Sequence, residues 1–410
     1  MGTVVRAPTG RVRTGLTLSL GVAVLACIVL AALVIVSPRQ AEALSAGIGG
    51  DAAGPAAPVA PVVATNADSG PFNPGDPLHL SVTGGTIAAV AMTDKSDGKQ
   101  VTGDLAQNAT EWSSTGDLGY GTTYTVGVDT LGPDGSRHHD DRTVTTLAPE
   151  RTAYPSFIPP PAQTTVGVGQ PIVVRFDHAV KDHATAEKAL TVTSSPPQEG
   201  SWYWLSNTEV HYRPKVYWQS GSTLTLKADL FGVDLGNGTY GQTDRTETIH
   251  VHDSWVAKAD GKTEQMQIFQ NGALVKTMPI SLGSPGFPSH TGPHVISDKQ
   301  PTITMDSCTY GVCAGQPGYY KEQVDLDLRI SDDGEFVHSA PWSVGSQGGA
   351  NVSHGCVNLS PANAQWFFDH FGIGDVVEIA NSGGPTLPLG DTYGDWELSW
   401  AQWQTGSAAK

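Results

Sequence analysis

The longest apolar feature of the chain comes first: residues 16–36 run for 21 positions without a charge. At about 1.5 Å per residue that is enough helix to cross a bilayer core of roughly 30 Å. The pattern predicts one transmembrane helix over 16–36. Arg6, Arg11 and Arg13 precede it, whereas Arg39 is followed by Glu42, so the positive-inside bias places residues 1–15 in the cytoplasm and everything beyond outside. A cleaved signal peptide is the rival reading. Val24-Leu25-Ala26-Cys27 faintly resembles a lipobox, but the apolar run continues past Cys27, which marks that cysteine as a helix residue.

The pattern then changes to Ala, Pro, Gly and Val with almost no charge over 37–69, the composition of an extended tether. Between about 70 and 252, the stretches 77–83, 122–129, 172–176, 209–213 and 223–230 alternate apolar and polar positions between Gly, Pro, Asn and Asp turns, which predicts strands. An internal repeat divides this region. The twelve residues from Gly121 and the twelve from Gly221 share Gly, Thr, Thr, Asp and Gly, and Gly75-Asp76-Pro77 and Gly169-Gln170-Pro171 open the two copies. Two β-sandwiches follow, over 70–149 and 150–252, parted near the proline run Pro159 to Pro161. Nothing in them gathers a nucleophile, a base and an orienting group, so a spacer or wall-binding role is expected. His138-His139-Asp140-Asp141 has residue types that could bind a metal, but such a cluster in a turn is usually just solvated.

A third pattern starts near 253. Two apolar runs around Asn271-Gly272 predict a β-hairpin. Ser360-Pro361 supplies an N-cap and a first-turn proline for a helix carrying Trp366, Phe367 and Phe371 and closed by Gly372. This domain is expected over 253–382, followed by a tail, 383–410, with Trp396, Trp400 and Trp403. Pro385, Pro388 and Gly394 argue for an irregular tail that docks its indoles on the protein.

Composition narrows the function. The net charge is −17 with only 15% charged residues and no basic run, which excludes a phosphate-backbone binder, so no nucleic-acid partner is expected. A mean hydropathy of −0.17 excludes a polytopic membrane protein. Gly (48) and Pro (28) are enriched without a period, consistent with many turns between strands.

The chemistry concentrates in Ser353-His354-Gly355-Cys356-Val357-Asn358. A cysteine beside glycine and histidine, in a loop just before a helix, has the setting of a reactive thiol, and the N–H groups of Gly355 and Cys356 could stabilise an oxyanion. Two histidines compete as its base: His354, and His338 in an otherwise apolar strand with 14 residues between it and Ser353. A Cys–His pair gives thiolate and imidazolium near neutral pH. The alternative that His338, His354 and Cys356 bind zinc is chemically allowed. Cys308 and Cys313, five apart in a loop outside the cytoplasm, are expected to form a disulfide.

The histidine, the 14-residue interval and the hexapeptide resemble the signature of L,D-transpeptidase catalytic domains of the YkuD type. Residues 305–311, 336–345 and 360–370 extend that resemblance to the mycobacterial enzymes with two immunoglobulin-like domains before the catalytic one. The fold implied is mainly β: two immunoglobulin-like sandwiches, a β-rich YkuD-type domain with a short helix, and the N-terminal transmembrane helix. The resemblance implies Cys356 as nucleophile, His338 as general base, and the Ser339 carbonyl as the group orienting the imidazole. It places His354, Gly355 and Asn358 on the substrate and oxyanion side, Asp333, Gly334, Trp342 and Tyr320 along the acyl-donor path, and Met305 to about Tyr320, with Tyr310, in a lid. The Cys308–Cys313 pair is a departure from the family pattern.

The implied reaction is 3→3 cross-linking of peptidoglycan stem peptides, as donor and acceptor, with release of D-Ala; carbapenems are the implied inhibitors. It needs no cofactor. Asp234, Asn237 and Gly238 align with a loop that can hold calcium in a relative, with Asn237 in place of an acidic ligand. The expected location is the cell-wall space, anchored to the membrane. A carboxypeptidase using water, and a non-catalytic wall-binding protein, are the rival functions.

Overall fold

The computed structural model describes residues 59–409, so the expected transmembrane helix and most of the tether lie outside the described residues. Among the described residues no helix is long and apolar enough to cross a membrane. The architecture is mainly β, with short helices only.

Alternation of polarity builds the first sandwich. In Thr123–Leu131 every second side chain is buried, which puts Tyr124, Val126 and Val128 against Leu80, Val82 and Trp112 of the facing sheet. Val62–Thr65 belongs to this sandwich: it pairs antiparallel with His79–Thr83 and buries Val63. The Ala/Pro/Val composition that reads as tether over 37–69 therefore includes an edge strand, because two valines on alternate sides of proline-limited backbone suffice to pair.

The second sandwich packs the sheet of Pro155–Ile158, Ile172–Phe176, Glu209–Pro214 and Gly200–Ser206 on a sheet built around Thr223–Ala228 and Arg245–Val251. Arg151–Ala153 pairs with Thr239–Gly241, and Pro155–Ile158 with Ile172–Phe176, so the proline run at 159–161 is a turn inside this domain rather than a border. The internal repeat has a physical origin. Gly121 and Gly221 both adopt left-handed backbone (φ +59° and +78°) two residues before a central strand, a geometry that selects glycine. His138 to Asp141 lie within the strand Arg137–Thr145, not in a turn, and His139 is held between Asp129 and Asp141.

In the third domain Asn271 and Gly272 (φ +48° and +81°) turn Gln265–Gln270 into Ala273–Pro279, as the sequence predicts. Trp255–Asp260, Val376–Ala380 and Gly292–Val295 complete that sheet. A second sheet runs Asp298–Asp306, Lys321–Arg329, Phe336–Ser339 and Val357–Leu359, the last two parallel. Between them lies a core of Ile268, Ile280, Val337, Val357, Leu359 and Phe367. The helix Pro361–His370 starts at Ser360, whose side chain accepts from Asn363 N, and packs beneath the parallel pair.

The tail is more ordered than its prolines suggest. Gly394–Glu397 and Trp400–Trp403 form short helices, the second opened by a capping box between Ser399 and Gln402. Its indoles surround Arg213 of the second sandwich, with ring centroids 4.6 Å (Trp396), 5.7 Å (Trp400) and 4.6 Å (Trp403) from the guanidinium. Trp396 Nε1 donates to Gly169 O and Trp403 Nε1 to Ser201 O, both at 2.8 Å.

Candidate active site

Strand register explains the motif spacing. In the parallel pair His338 lies opposite Asn358, and Cys356 stands two residues before Asn358. Cys356 sits in the bend just before Val357–Leu359, and it and His338 both line one cavity of about 280 Å³. The 14-residue interval is the loop that a parallel connection requires. Trp342 at its start is 57% exposed, with its ring 6.0 Å from that of His338.

The imidazole is fixed. His338 Nδ1 donates to Ser339 O at 2.9 Å, which leaves Nε2 as the basic nitrogen. The ring is 4% exposed. Burial lowers its pKa to about 4, against the Ser339 carbonyl and the Asn358 side chain, which both favour the charged ring. Asn358 is itself held by Nδ2 donating to Ser343 Oγ at 3.1 Å.

The thiol is buried among Met305, Val324 and Phe336, and burial pushes its pKa up to about 12. Its hydrogen bond runs to Gly334 O, at 3.7 Å. Burial thus shifts both groups toward their neutral forms, because the apolar wall penalises both charges. The turn before the strand is tied from behind. Ser353 Oγ donates to Cys356 O at 2.6 Å and accepts from Gly355 N at 3.2 Å, and Ser289 Oγ donates to Gly355 O. The Gly355 N–H is thus committed to Ser353 and not turned to an oxyanion as the sequence suggests.

The segment expected as a lid, Met305 to about Tyr320, is the tip of the hairpin of Asp298–Asp306 and Lys321–Arg329. Cys308 and Cys313 are disulfide-bonded across its tip, and Asp306 bridges to Lys321 at 2.9 Å at its base. Met305, Tyr320, Glu322 and Val324 reach the cavity from it. The Tyr310 side chain lies outside the described residues. His354 packs between Phe287 and Tyr320, with centroids at 4.8 and 5.4 Å, and so stands between the thiol's cavity and a neighbouring one of about 220 Å³. Asp333 and Gly334 line that neighbouring cavity.

Among the described residues no group of three or more His, Cys, Asp or Glu is arranged to hold a metal ion, and His338, His354 and Cys356 do not form one. Asp234, Asn237 and Gly238 sit in a tight turn in which Asp234 Oδ1 accepts from Gly236 N at 2.8 Å. Ser343, Val352, Ser289 and Glu335 escape the sequence reading. Only Ser289 has a local signal, the short polar run before Gly292.

Two families match the chain: bacterial Ig domain over residues 70–234, and L,D-transpeptidase catalytic domain over 248–379. L,D-transpeptidase 2 of Mycobacterium tuberculosis (strain CDC 1551 / Oshkosh) is 41% identical over 332 residues, covering 81% of each protein. L,D-transpeptidase 5 of the H37Rv strain is 33% identical over 339 residues, covering 81% of this chain and 73% of that protein. A solved LD transpeptidase in complex with imipenem is 32% identical, with a TM-score of 0.50, over 56% of this chain and 100% of that one.

Proposed function

Because the chain belongs to the L,D-transpeptidase family, we propose that it forms 3→3 cross-links between peptidoglycan stem peptides through a thioester on Cys356. The observation that carries this reading is the fixed tautomer of His338: with Nδ1–H spent on Ser339 O, Nε2 is the basic nitrogen of a ring that lines the same cavity as Cys356.

In the proposed sequence Cys356 Sγ attacks the carbonyl carbon between the third stem residue and the terminal D-Ala. Its proton passes to His338 Nε2 as the S–C bond forms, so the oxyanion and the imidazolium appear together in the tetrahedral intermediate. The tetrahedral intermediate collapses, the C–N bond breaks, and Nε2–H protonates the departing D-Ala amine. A side-chain amine of a second stem then attacks the thioester, loses a proton to Nε2, and releases the sulfur, which regains that proton. Met305, Tyr320, Trp342 and Asn358 line the path of the donor; Asp333 and Gly334 belong to its further reach, and His354 and Gly355 shape the wall beside the sulfur. Neither metal nor organic cofactor enters this chemistry. A carbapenem would acylate Cys356 by opening its lactam ring on the same sulfur, in keeping with the imipenem complex of the relative.

The enzyme would work in the cell-wall space, tethered by residues 16–36. Calcium at Asp234, Asn237 and Gly238 would be structural. The test is incubation of the full-length chain with a purified disaccharide-tetrapeptide, read by mass spectrometry beside Cys356→Ala. A dimer lacking one D-Ala, absent with the variant, is the expected result. Tripeptide monomer alone would make water the acceptor, and unchanged substrate in both samples would overturn the reading.

A further inference from the structure

Behind the turn that carries Cys356, on the side away from the thiol's cavity, lies a buried cluster of acids and histidines that the proposed reaction does not use. Glu335 is 5% exposed. Its Oε1 accepts from His290 N at 2.8 Å and faces His290 Nδ1 at 3.2 Å, and its Oε2 faces His294 Nε2 at 3.4 Å. His294 is fully buried, and its Nδ1 meets Gly292 O at 3.0 Å. A carbonyl only accepts, so Nδ1 donates to Gly292 O and Nε2 is the nitrogen turned to the carboxylate. His290 likewise stands between Glu335 and Asp333, whose Oδ2 lies 3.6 Å from its Nε2. The C-terminal tail adds Glu397, pressed on Gly292 so closely that a Cβ there would meet Oε1 at 1.9 Å. Glu335 Oε2, His294 Nε2 and Glu397 Oε1 are all buried without a well-formed hydrogen bond.

Glu335 touches the nucleophile's surroundings on both flanks. It follows Gly334, whose carbonyl takes the thiol hydrogen, and opens the strand that presents His338. Across the gap, a Cβ on Gly355 would meet Glu335 Oε1 at 3.3 Å, and Gly355 holds a left-handed φ of +121°. The carboxylate thus fills the space that a side chain at 355 would need.

We propose that Glu335 is a positioning residue for Cys356: held by His290 and His294, its carboxylate fixes the Gly334 and Gly355 backbone around the sulfur and keeps a negative charge behind the thiol. This rests on the reading of Cys356 as the nucleophile. Its consequence is a thiol that stays protonated until His338 takes the proton; the Glu335 charge acts in that direction on Cys356, below burial in size. The groups that face Glu335 or share its field are His290 and His294, Glu397 from the tail, Asp333 in its own turn, Cys356, and Asp327 and Arg329 on the lid strand.

Two variants of the full-length chain separate charge from shape. Glu335→Gln keeps the volume and removes the charge; Glu335→Asp keeps the charge and withdraws it from Gly355. Alkylation of Cys356 by iodoacetamide, resolved from Cys27 by peptide mass spectrometry, is followed from about pH 6 to 11 with imipenem acylation in parallel. Glu335→Gln is expected to move the alkylation profile to lower pH, with roughly tenfold more alkylation at a fixed pH on its rising limb, about one unit of thiol pKa. Glu335→Asp is expected to leave the profile near its wild-type place and slow imipenem acylation roughly tenfold or more. A Glu335→Gln profile on top of the wild type, or shifted upward, overturns the charge role; wild-type acylation by Glu335→Asp overturns the positioning role. If Glu335→Gln does not fold, the aspartate variant still decides the second. The profile is read on the thiol itself, and Cys356→Ser, which removes the imipenem adduct if Cys356 is the nucleophile, tests the parent reading separately.

Discussion

The Cys356 thiol donates a hydrogen bond to the carbonyl of Gly334, at 3.7 Å, so the proton of the proposed nucleophile is aimed at a backbone oxygen. Burial holds that thiol up at about 12 and the His338 ring down at about 4. The pair is neutral across the ordinary working range. Acylation by a carbapenem is therefore expected to stay flat from about pH 5 to 8, with its acid limb near 4. A limb near the ordinary histidine value of 6.5 would contradict the neutral pair. His338→Asn is expected to slow acylation about 10²–10⁴-fold at every pH in that range.

The disulfide at the lid tip makes a count. The denatured, unreduced full-length chain is expected to take two thiol labels, on Cys27 and Cys356, and four after reduction. Replacing Cys308 and Cys313 by serine should loosen the loop that ends at Tyr320, raising the donor KM more than it lowers kcat. Four labels before reduction would remove the bond.

Gly355→Ala is expected to be inactive while still folding. Alanine at φ +121° is strained, at a cost of about 1–3 kcal/mol, and its methyl would press on Glu335 Oε1. A loss of acylation above about 100-fold, with the melting temperature lowered by only a few degrees, is the expected pairing.

His211 of the second sandwich sits 2.9 Å from Asp395 of the tail, both buried, with Glu209 on its other nitrogen at 2.8 Å. Although burial lowers the pKa, Asp395 and Glu209 outweigh it and raise it to about 9. A raised histidine contributes stability that is fully present below its unfolded value of about 6.5 and is lost as pH rises through 9. Asp395→Asn should cost about 3–5 kcal/mol at pH 6, because it strands a buried charge, and clearly less at pH 10. Equal losses at both pH values would refute the pairing.

Asp327 is buried with both carboxylate oxygens lacking a side-chain partner, and burial raises its pKa to about 7. An acid raised on folding favours the fold below its unfolded value near 4 and opposes it increasingly as pH climbs to 7. Asp327→Asn should therefore raise the melting temperature at pH 8 more than at pH 5.

What the sequence carried and what it withheld divide along contact range. Asn271-Gly272, Ser360-Pro361 and the Gly121 and Gly221 pair act through their own backbone, so local chemistry announces them. His338 and Cys356 are legible because one strand pair forces their spacing. Glu335 is not, since its meaning comes from His290, His294 and a tail residue far along the chain. The tail helices escaped for the same reason: prolines argue locally against helix, while Arg213, fixed in another domain, supplies the reason for the indoles to gather. The strand Val62–Thr65 shows the converse, a tether-like composition recruited by a neighbour that needed an edge.

The Trp396, Trp400 and Trp403 clasp on Arg213 has a consequence for the order of assembly. A chain emerging from its N-terminus has its thiol and imidazole in place well before it owns the residues that close the clasp. Glu397 comes with those residues and presses on Gly292 beside the histidines behind the sulfur. The reactive centre is thus braced by a segment that follows it in the chain, and a protein without that segment would own every reacting group on an unfinished foundation.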